Sequence, residues 1–337
     1  MPKPQPADAC PTDRHSGINA DAAADLVAES SFADAPGRVV ELAAASLSKN
    51  TRRAYRGALQ RLQHYLDKHD ASLTDGWLAS YLASLFHRGR SPSSASMVVA
   101  AVRFQARTTG TPSPVGPATD RVLAGFRREG RRRGRGQVEG ISWEMADVIA
   151  ALITAVETGS LAAFRDAALI SIMSDAMLRV SEVAALRCAD IREDDGGAGL
   201  LTIRSSKTDQ EGEGTILFLG ALTMRRIRAW ITAAGFNSGP LFRAVRVGGI
   251  VEEGPLSSRS IRNVIQKRAK QAGIDAGRIS GHSLRVGSAQ SLALRGASLV
   301  ELQQAGRWTS PHMPGRYVRG QLASRGPVAR IRYGKGS

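Results

Sequence analysis

A chain of 337 residues exceeds what one hydrophobic core usually holds, so two domains are expected. Hydrophobic residues at 42% and charged residues at 23% are ordinary for a folded chain and exclude one that is disordered throughout. A count of 46 Lys and Arg against 30 Asp and Glu leaves +16, which points to a polyanionic partner, nucleic acid ahead of an anionic membrane surface.

Residues 1–36 are rich in Pro, Ala, Asp and Ser with little periodicity. They are expected to form a flexible polar tail, in which Ala20 to Glu29 offers only a marginal helix. Met1 to Ser16 has no apolar h-region, so a secretory signal is not expected. The apolar stretch around Ala167 to Met173 falls far short of the roughly 20 residues that span a bilayer. The expectation is a cytoplasmic protein with no membrane partner. Cys10 and Cys188 are too few and too far apart for a disulfide framework or a Cys-rich zinc site.

From Pro36 a helical pattern sets in. Tyr55, Leu59, Leu62 and Leu66 recur at helical spacing, while Arg52, Arg53, Arg56 and Arg61 lie mostly off that stripe. One face packs and the other is cationic, which makes Arg52, Arg53 and Arg56 candidate DNA contacts. Trp77, Leu78, Tyr81, Leu82, Leu85 and Phe86 form a second helix, Met97 to Ala106 a third after Ser91-Pro92, and Val122 to Phe126 belong to a fourth. Residues 37–126 are thus an all-helical domain. Residues 127–141 read as a basic interdomain linker, opening with Arg127, Arg128, Arg131, Arg132, Arg133 and Arg135 among three glycines. Such a flexible cationic strap would follow a phosphate backbone, its plainer alternative being a solvated charge run.

The second domain is expected over 142–337, with a short tail at its end. Ser142 is a plausible N-cap before Trp143, and a strongly apolar helix runs from Ala162 to Met177. Leu200 to Arg204 and Thr215 to Leu219 read as an antiparallel hairpin. Further helices fall at about 221–233, 258–272, 283–294, 297–304 and 312–319. The fold class is mainly α: an all-helical N-terminal domain and a mostly helical, mixed α/β domain with a small hairpin sheet.

No glycine-rich fingerprint follows a strand, no G-x-x-x-x-G-K-[ST] or H-E-x-x-H occurs, and the six histidines lack helical metal-ligand spacing. No cofactor and no metal are therefore expected. What stands out is polar residues set in apolar helical sequence. Arg179 has Glu182 three residues on, able to orient the guanidinium, and His282 has Arg285 at the same spacing. Lys207 sits in the turn of the hairpin. Trp308 and Tyr317 bracket Pro311 and Pro314, where Ser310 caps a short helix that Pro311 begins.

These residues lie in boxes: Ala176-Met177-Leu178-Arg179-Val180-Ser181-Glu182-Val183, then Ser206-Lys207-Thr208-Asp209, then Gly281-His282-Ser283-Leu284-Arg285, then Ala305-Gly306-Arg307-Trp308 through Arg316-Tyr317. In order and approximate spacing they resemble the first arginine box, hairpin lysine, H-x-x-R box and nucleophile segment of the tyrosine recombinase (phage integrase) family. Trp308, where many relatives carry histidine, is similar to the Cre-like branch. The resemblance implies a helical core-binding domain followed by a catalytic domain that together clamp duplex DNA. It also implies a homotetramer acting on two duplexes, and a monomer or weak oligomer away from DNA.

Elementary chemistry agrees with the roles implied. Breaking a phosphodiester without water or metal needs a nucleophile, stabilised charge on the non-bridging oxygens and a proton for the leaving 5′-oxygen. By resemblance Tyr317 is the nucleophile, forming a 3′-phosphotyrosyl link that stores the bond energy without ATP. Arg179, oriented by Glu182, and Arg285 clamp the phosphate with bidentate donors. Lys207 is the general acid, His282 assists proton movement and Trp308 donates its indole N–H. Without the boxes each has a plainer reading: Tyr317 a half-buried aromatic with Tyr333 as a rival, Arg179 and Glu182 a structural pair, His282 a capping residue, Lys207 a solvated turn lysine. Two other functions stay open at this point, type IB topoisomerase-like relaxation and a catalytically silent architectural DNA-binding protein.

Overall fold

The computed structural model describes residues 46–133, 138–204 and 214–323. The tail at 1–36, Arg135 and Lys207 lie outside the described residues, and Arg131 is described by its backbone alone. The chain forms two compact units, with the boundary between Gln137 and Val138.

The first unit is built from helices α1 (Lys49–Lys68), α2 (Asp75–His87), α3 (Pro92–Thr109) and α4 (Pro117–Arg132). Each of the first three starts where a hydroxyl satisfies an orphan N–H: Ser48 accepts from Thr51, Thr74 from Trp77, and Ser91 from Ser94 just ahead of Pro92. α3 stops at Gly110, whose φ of 65° is the left-handed cap that glycine adopts without cost. The apolar stripe of α1, Leu59, Leu62 and Leu66, packs with Leu78, Tyr81, Leu82, Val98, Val102, Leu123 and Phe126 into one core. Asp75 ties α2 to the start of α4, accepting from the backbone N–H groups of Gly116, Ala118 and Thr119 at 2.9–3.0 Å.

One expectation is corrected here. The segment from Arg127 is not a flexible strap, because α4 continues through it to Arg132. Arginine is a good helix former, and the glycine within the run has a packing reason. A Cβ on Gly130 would stand 2.4 Å from Pro92 Cγ. Arg127 donates to Ser96 Oγ at 3.1 Å, Arg132 pairs with Glu129 at 2.8 Å, and the Arg133 guanidinium lies 4.3 Å from the centre of the Phe86 ring.

The second unit opens with α5 (Trp143–Val156), capped by Ser142, and α6 (Leu161–Asp175), capped by Ser160. α6 is buried almost all round and forms the centre of the unit. After α7 (Val180–Ala185), strands β1 (Ile191–Glu193), β2 (Gly199–Ile203) and β3 (Thr215–Leu219) make an antiparallel sheet in that order, Leu201 facing Ile191 and Leu217. β2 and β3 are the hairpin expected from sequence; β1 adds a third strand. Then come α8 (Ala221–Ala234), a second hairpin of β4 (Arg243–Val245) and β5 (Val251–Pro255), α9 (Ser258–Gln271), α10 (Ser283–Leu294), α11 (Leu299–Gly306) and α12 (His312–Ala323).

Ions pin α6 to α9. Asp166, 2% exposed, accepts from Arg165 Nη2 at 2.6 Å and Arg268 Nε at 2.7 Å, and Arg268 also holds Glu157. Taking away one partner of such a buried set costs about 3–5 kcal/mol, since a charge is left unpaired in the interior. Gly287 lets the chain before α5 lie directly on α10: a Cβ there would sit 1.8 Å from the carbonyl oxygen of Ile141. The Ile141 N–H accordingly reaches Ser283 O at 2.9 Å.

Candidate active site

At the end of α6 the chain turns through Met177, whose φ of 49° is left-handed, and delivers Arg179 as the N-cap of α7. Glu182, one turn on, reaches back. Its Oε2 accepts the Arg179 backbone N–H at 2.8 Å and its Oε1 accepts Arg179 Nη1 at 2.7 Å. The orienting pair read from the spacing is therefore present.

α10 meets this corner through Gly281, where a Cβ would lie 2.3 Å from Val180 Cγ2. His282 is the N-cap of α10 and is exposed, while Arg285 in the first turn is 3% exposed. Arg285 donates to Met177 O at 2.5 Å and to Gly306 O, and its guanidinium carbon lies 4.6 Å from the centre of the Trp308 ring. Trp308 is buried, its ring centre 5.8 Å from that of Tyr317 on α12. Gln290 on α10 donates to the Tyr317 carbonyl at 3.3 Å, which fixes α12 against α10. A small cluster of Met177, Ala289, Ala293, Leu302 and Val318 supports the two rings.

The electrostatics follow from burying several guanidiniums around one carboxylate. Burial pushes the Glu182 carboxyl up, but Arg307 and Arg179 outweigh it and hold the group below the ordinary carboxylate range. Arg285 is pulled down to about 9, by burial first and then by Arg179 and Arg307, so it remains charged at neutral pH. Partial desolvation, then Arg285, Arg179 and Arg262, lower the His282 pKa and favour the neutral imidazole. The site thus holds guanidiniums suited to an anion, a neutral imidazole able to accept a proton, and a phenol.

Of the residues singled out from sequence, Arg179, Glu182, His282, Arg285, Trp308 and Tyr317 share this one site. Lys207 lies outside the described residues, beyond the ends of β2 and β3. Arg52, Arg53 and Arg56 stand on α1, Arg53 and Arg56 exposed and Arg53 Nη2 donating to Asn50 Oδ1 at 2.8 Å. Arg127, Arg128, Arg132 and Arg133 are exposed at the end of the first unit's last helix. One participant escaped sequence reasoning. Arg307, its side chain 7% exposed, gives Nη1 to Ala176 O at 3.0 Å and Nη2 to Glu182 Oε2 at 2.8 Å. Its only sequence signal is its place inside the box that ends in Trp308.

The profile of the phage integrase family matches residues 144–323. Recombinase cre of Escherichia phage P1 is 27% identical over 265 residues, 74% of this chain and 77% of its own. An integrase/recombinase xerD homolog of Selenomonas ruminantium is 27% identical over 164 residues, covering 47% and 48% of the two chains. The fold is shared with the XerH site-specific recombinase bound to palindromic difH substrate in a post-cleavage complex, at TM-score 0.63 and 17% identity over 88% of this chain and 83% of that one. It is shared as well with a lambda integrase tetramer bound to a Holliday junction, at TM-score 0.55 and 17% identity over 81% and 73%. With the family profile running over more than half of its length and through every box from Arg179 to Tyr317, this chain belongs to the phage integrase family, the tyrosine recombinases.

Proposed function

We propose that the protein is a site-specific DNA recombinase or integrase that cleaves and rejoins duplex DNA through a 3′-phosphotyrosyl intermediate, without metal or ATP. The observation that carries the proposal is that Trp308 packs against both the buried Arg285 guanidinium and the ring of Tyr317, while Arg307 bonds both Met177 O, which Arg285 also uses, and Glu182, which holds Arg179.

In the proposed reaction the Tyr317 oxygen attacks the scissile phosphorus and the bond to the 5′-oxygen breaks. Arg179 and Arg285 stabilise the charge gathering on the non-bridging oxygens of the pentacovalent state, where preorganised donors act most strongly. Neutral His282 takes up or relays the phenolic proton, and Lys207 gives the proton that the leaving 5′-oxygen needs. Attack by a 5′-hydroxyl from another strand reverses each transfer and restores Tyr317. Since one phosphodiester replaces another, no external energy source is required.

The partner is double-stranded DNA, in keeping with the +16 charge. We assign a homotetramer on two duplexes, by analogy with the lambda integrase tetramer, and a monomer or weak oligomer away from DNA. The named relatives are recombinases and an integrase, which favours strand exchange over type IB relaxation or a silent architectural role. No described helix is long and apolar enough to cross a membrane, and we place the protein's work in the cytoplasm.

The test is incubation with duplexes tiling the DNA that flanks the gene, followed by denaturing electrophoresis to trap covalent adducts. Tyr317→Phe should bind duplex as before and form no adduct. An adduct that persists in this variant, or maps to Tyr333, would sink the assignment.

A further inference from the structure

The left-handed position after α11 is where a helix most often places glycine, because any Cβ there is crowded. This chain places an arginine there, Arg307, at φ 51°. Its Nε is buried without a hydrogen-bond partner among the described residues, a second cost. A side chain kept on such terms is expected to do something that glycine could not.

What it does is visible at Glu182, 5% exposed and in contact with both arginines. A buried carboxylate 2.7 Å from Arg179 Nη1 would by itself close a neutral pair, and at the distance of a bound phosphate the two charges would largely cancel. Arg307 Nη2 meets the other oxygen of the same carboxylate at 2.8 Å. Arg307 also donates to Ala176 O at 3.0 Å and to Met177 O at 3.5 Å, the latter being the carbonyl that Arg285 uses. The group of Arg179, Glu182, Arg285 and Arg307 therefore carries two net positive charges rather than one.

We infer that Arg307 is a positioning residue that balances the charge of Glu182, so that Glu182 orients Arg179 without cancelling its attraction for the scissile phosphate. The inference rests on the recombinase reading above and names a residue of the same site.

Arg307→Gly removes the guanidinium and relieves the backbone, so a slow variant is not a strained one; a thermal melt checks that it folds. On the duplex where wild type forms its adduct, single-turnover cleavage by Arg307→Gly should fall roughly 10- to 100-fold with duplex affinity unchanged, the scale of a misplaced contact group. Arg307→Lys keeps a charge beside Glu182 and should stay within about 5-fold of wild type, since a point charge suffices for balancing. The deciding variant is Arg307→Gly combined with Glu182→Gln, which deletes the charge that Arg307 answers and should cleave faster than Arg307→Gly alone. A lysine variant as slow as the glycine variant, or a double variant no faster than Arg307→Gly, overturns the inference and leaves Arg307 a mere staple between α11 and the corner at Ala176. A second arm needs no DNA: orthovanadate affinity of the full chain, by calorimetry, should weaken in Arg307→Gly and recover in the double variant. If no duplex yields an adduct while this pattern holds, the covalent reading falls and the charge balance stands. If adducts form but the double variant gains nothing, the reverse is true.

Discussion

A single methyl group placed on Gly306 should disturb the active site more than its size suggests. A Cβ there would lie 2.0 Å from Trp308 Cζ3, 2.2 Å from Cε3 and 2.5 Å from Cη2. Ordinary contact begins at 3.4 Å, so the indole must retreat by about 1.4 Å. It has little room, being 9% exposed and packed within the cluster of Met177, Leu302 and Val318. The Arg285 guanidinium carbon lies 4.6 Å from the centre of that ring and the Tyr317 ring centre 5.8 Å from it, so a displaced indole should shift both. Overpacking of this kind costs about 1–3 kcal/mol, which for a unit of this size lowers the melting temperature by roughly 2–12 °C. A shift near 1 Å in a reacting group costs about 10² in rate. Gly306→Ala should therefore bind duplex normally, melt a few degrees lower and form the phosphotyrosyl adduct roughly 100-fold more slowly. Gly125→Ala is the control: with no atom of the described residues within 4 Å of its Cβ, on an exposed face of α4, it should leave the rate unchanged and stabilise by about 0.4–1 kcal/mol. Calorimetric melting and single-turnover adduct formation measure both variants. Wild-type melting and wild-type cleavage in Gly306→Ala would refute the packing argument and the coupling of Trp308 to the reacting groups.

Arg285→Lys should cleave at least roughly 10²-fold more slowly, since one ammonium cannot serve Met177 O and Gly306 O while lying over Trp308. Near-normal adduct formation by the lysine variant would show that a point charge is enough. Asp75 is held at about 2 by Thr119, against desolvation, with further help from the N–H groups of Ala118 and Gly116. Because this folded value lies below the ordinary 3.8, its contribution to stability is complete above that pH and is lost as pH falls through about 2. Asp75→Asn should flatten that part of the melting profile, and an unchanged acid limb would count against the link between α2 and α4. For His282 the lowered pKa means that below about 6.5 the unfolded chain takes up a proton that the folded chain resists, so stability falls with pH in that window. His282→Asn should remove this slope in melts across that range, and an identical slope in the variant would contradict it. Replacing Arg127, Arg128, Arg132 and Arg133 by Gln should make the salt dependence of duplex binding shallower by about 0.9 for each phosphate that these arginines neutralise. Anisotropy titrations at several salt concentrations measure this, and an unchanged slope would return these arginines to a solvated face.

Where local chemistry decides, the sequence alone was sufficient. Ser142 caps α5, Thr215 to Leu219 pairs with β2, and α10 spans Ser283–Leu294, because capping and periodicity act between residues a few positions apart. The order of the boxes from Arg179 to Tyr317 was legible as well, and the family profile runs through them, while the roles of their residues came from resemblance to that family. Tertiary structure decided what depends on distant partners. Arg127 to Arg132 look like a strap by composition, yet they are helical, with Gly130 packed on Pro92 and Arg133 over Phe86, residues about forty positions away. Arg307 is unremarked in the sequence because its carboxylate partner lies 125 residues earlier, and only the left-handed turn after α11 brings the two together. Burial adds the last part. The lowered pKa values of Arg285 and His282 come from desolvation by surrounding elements and from guanidiniums gathered from α7, α9, α10 and the end of α11, an arrangement that no window of neighbouring residues contains.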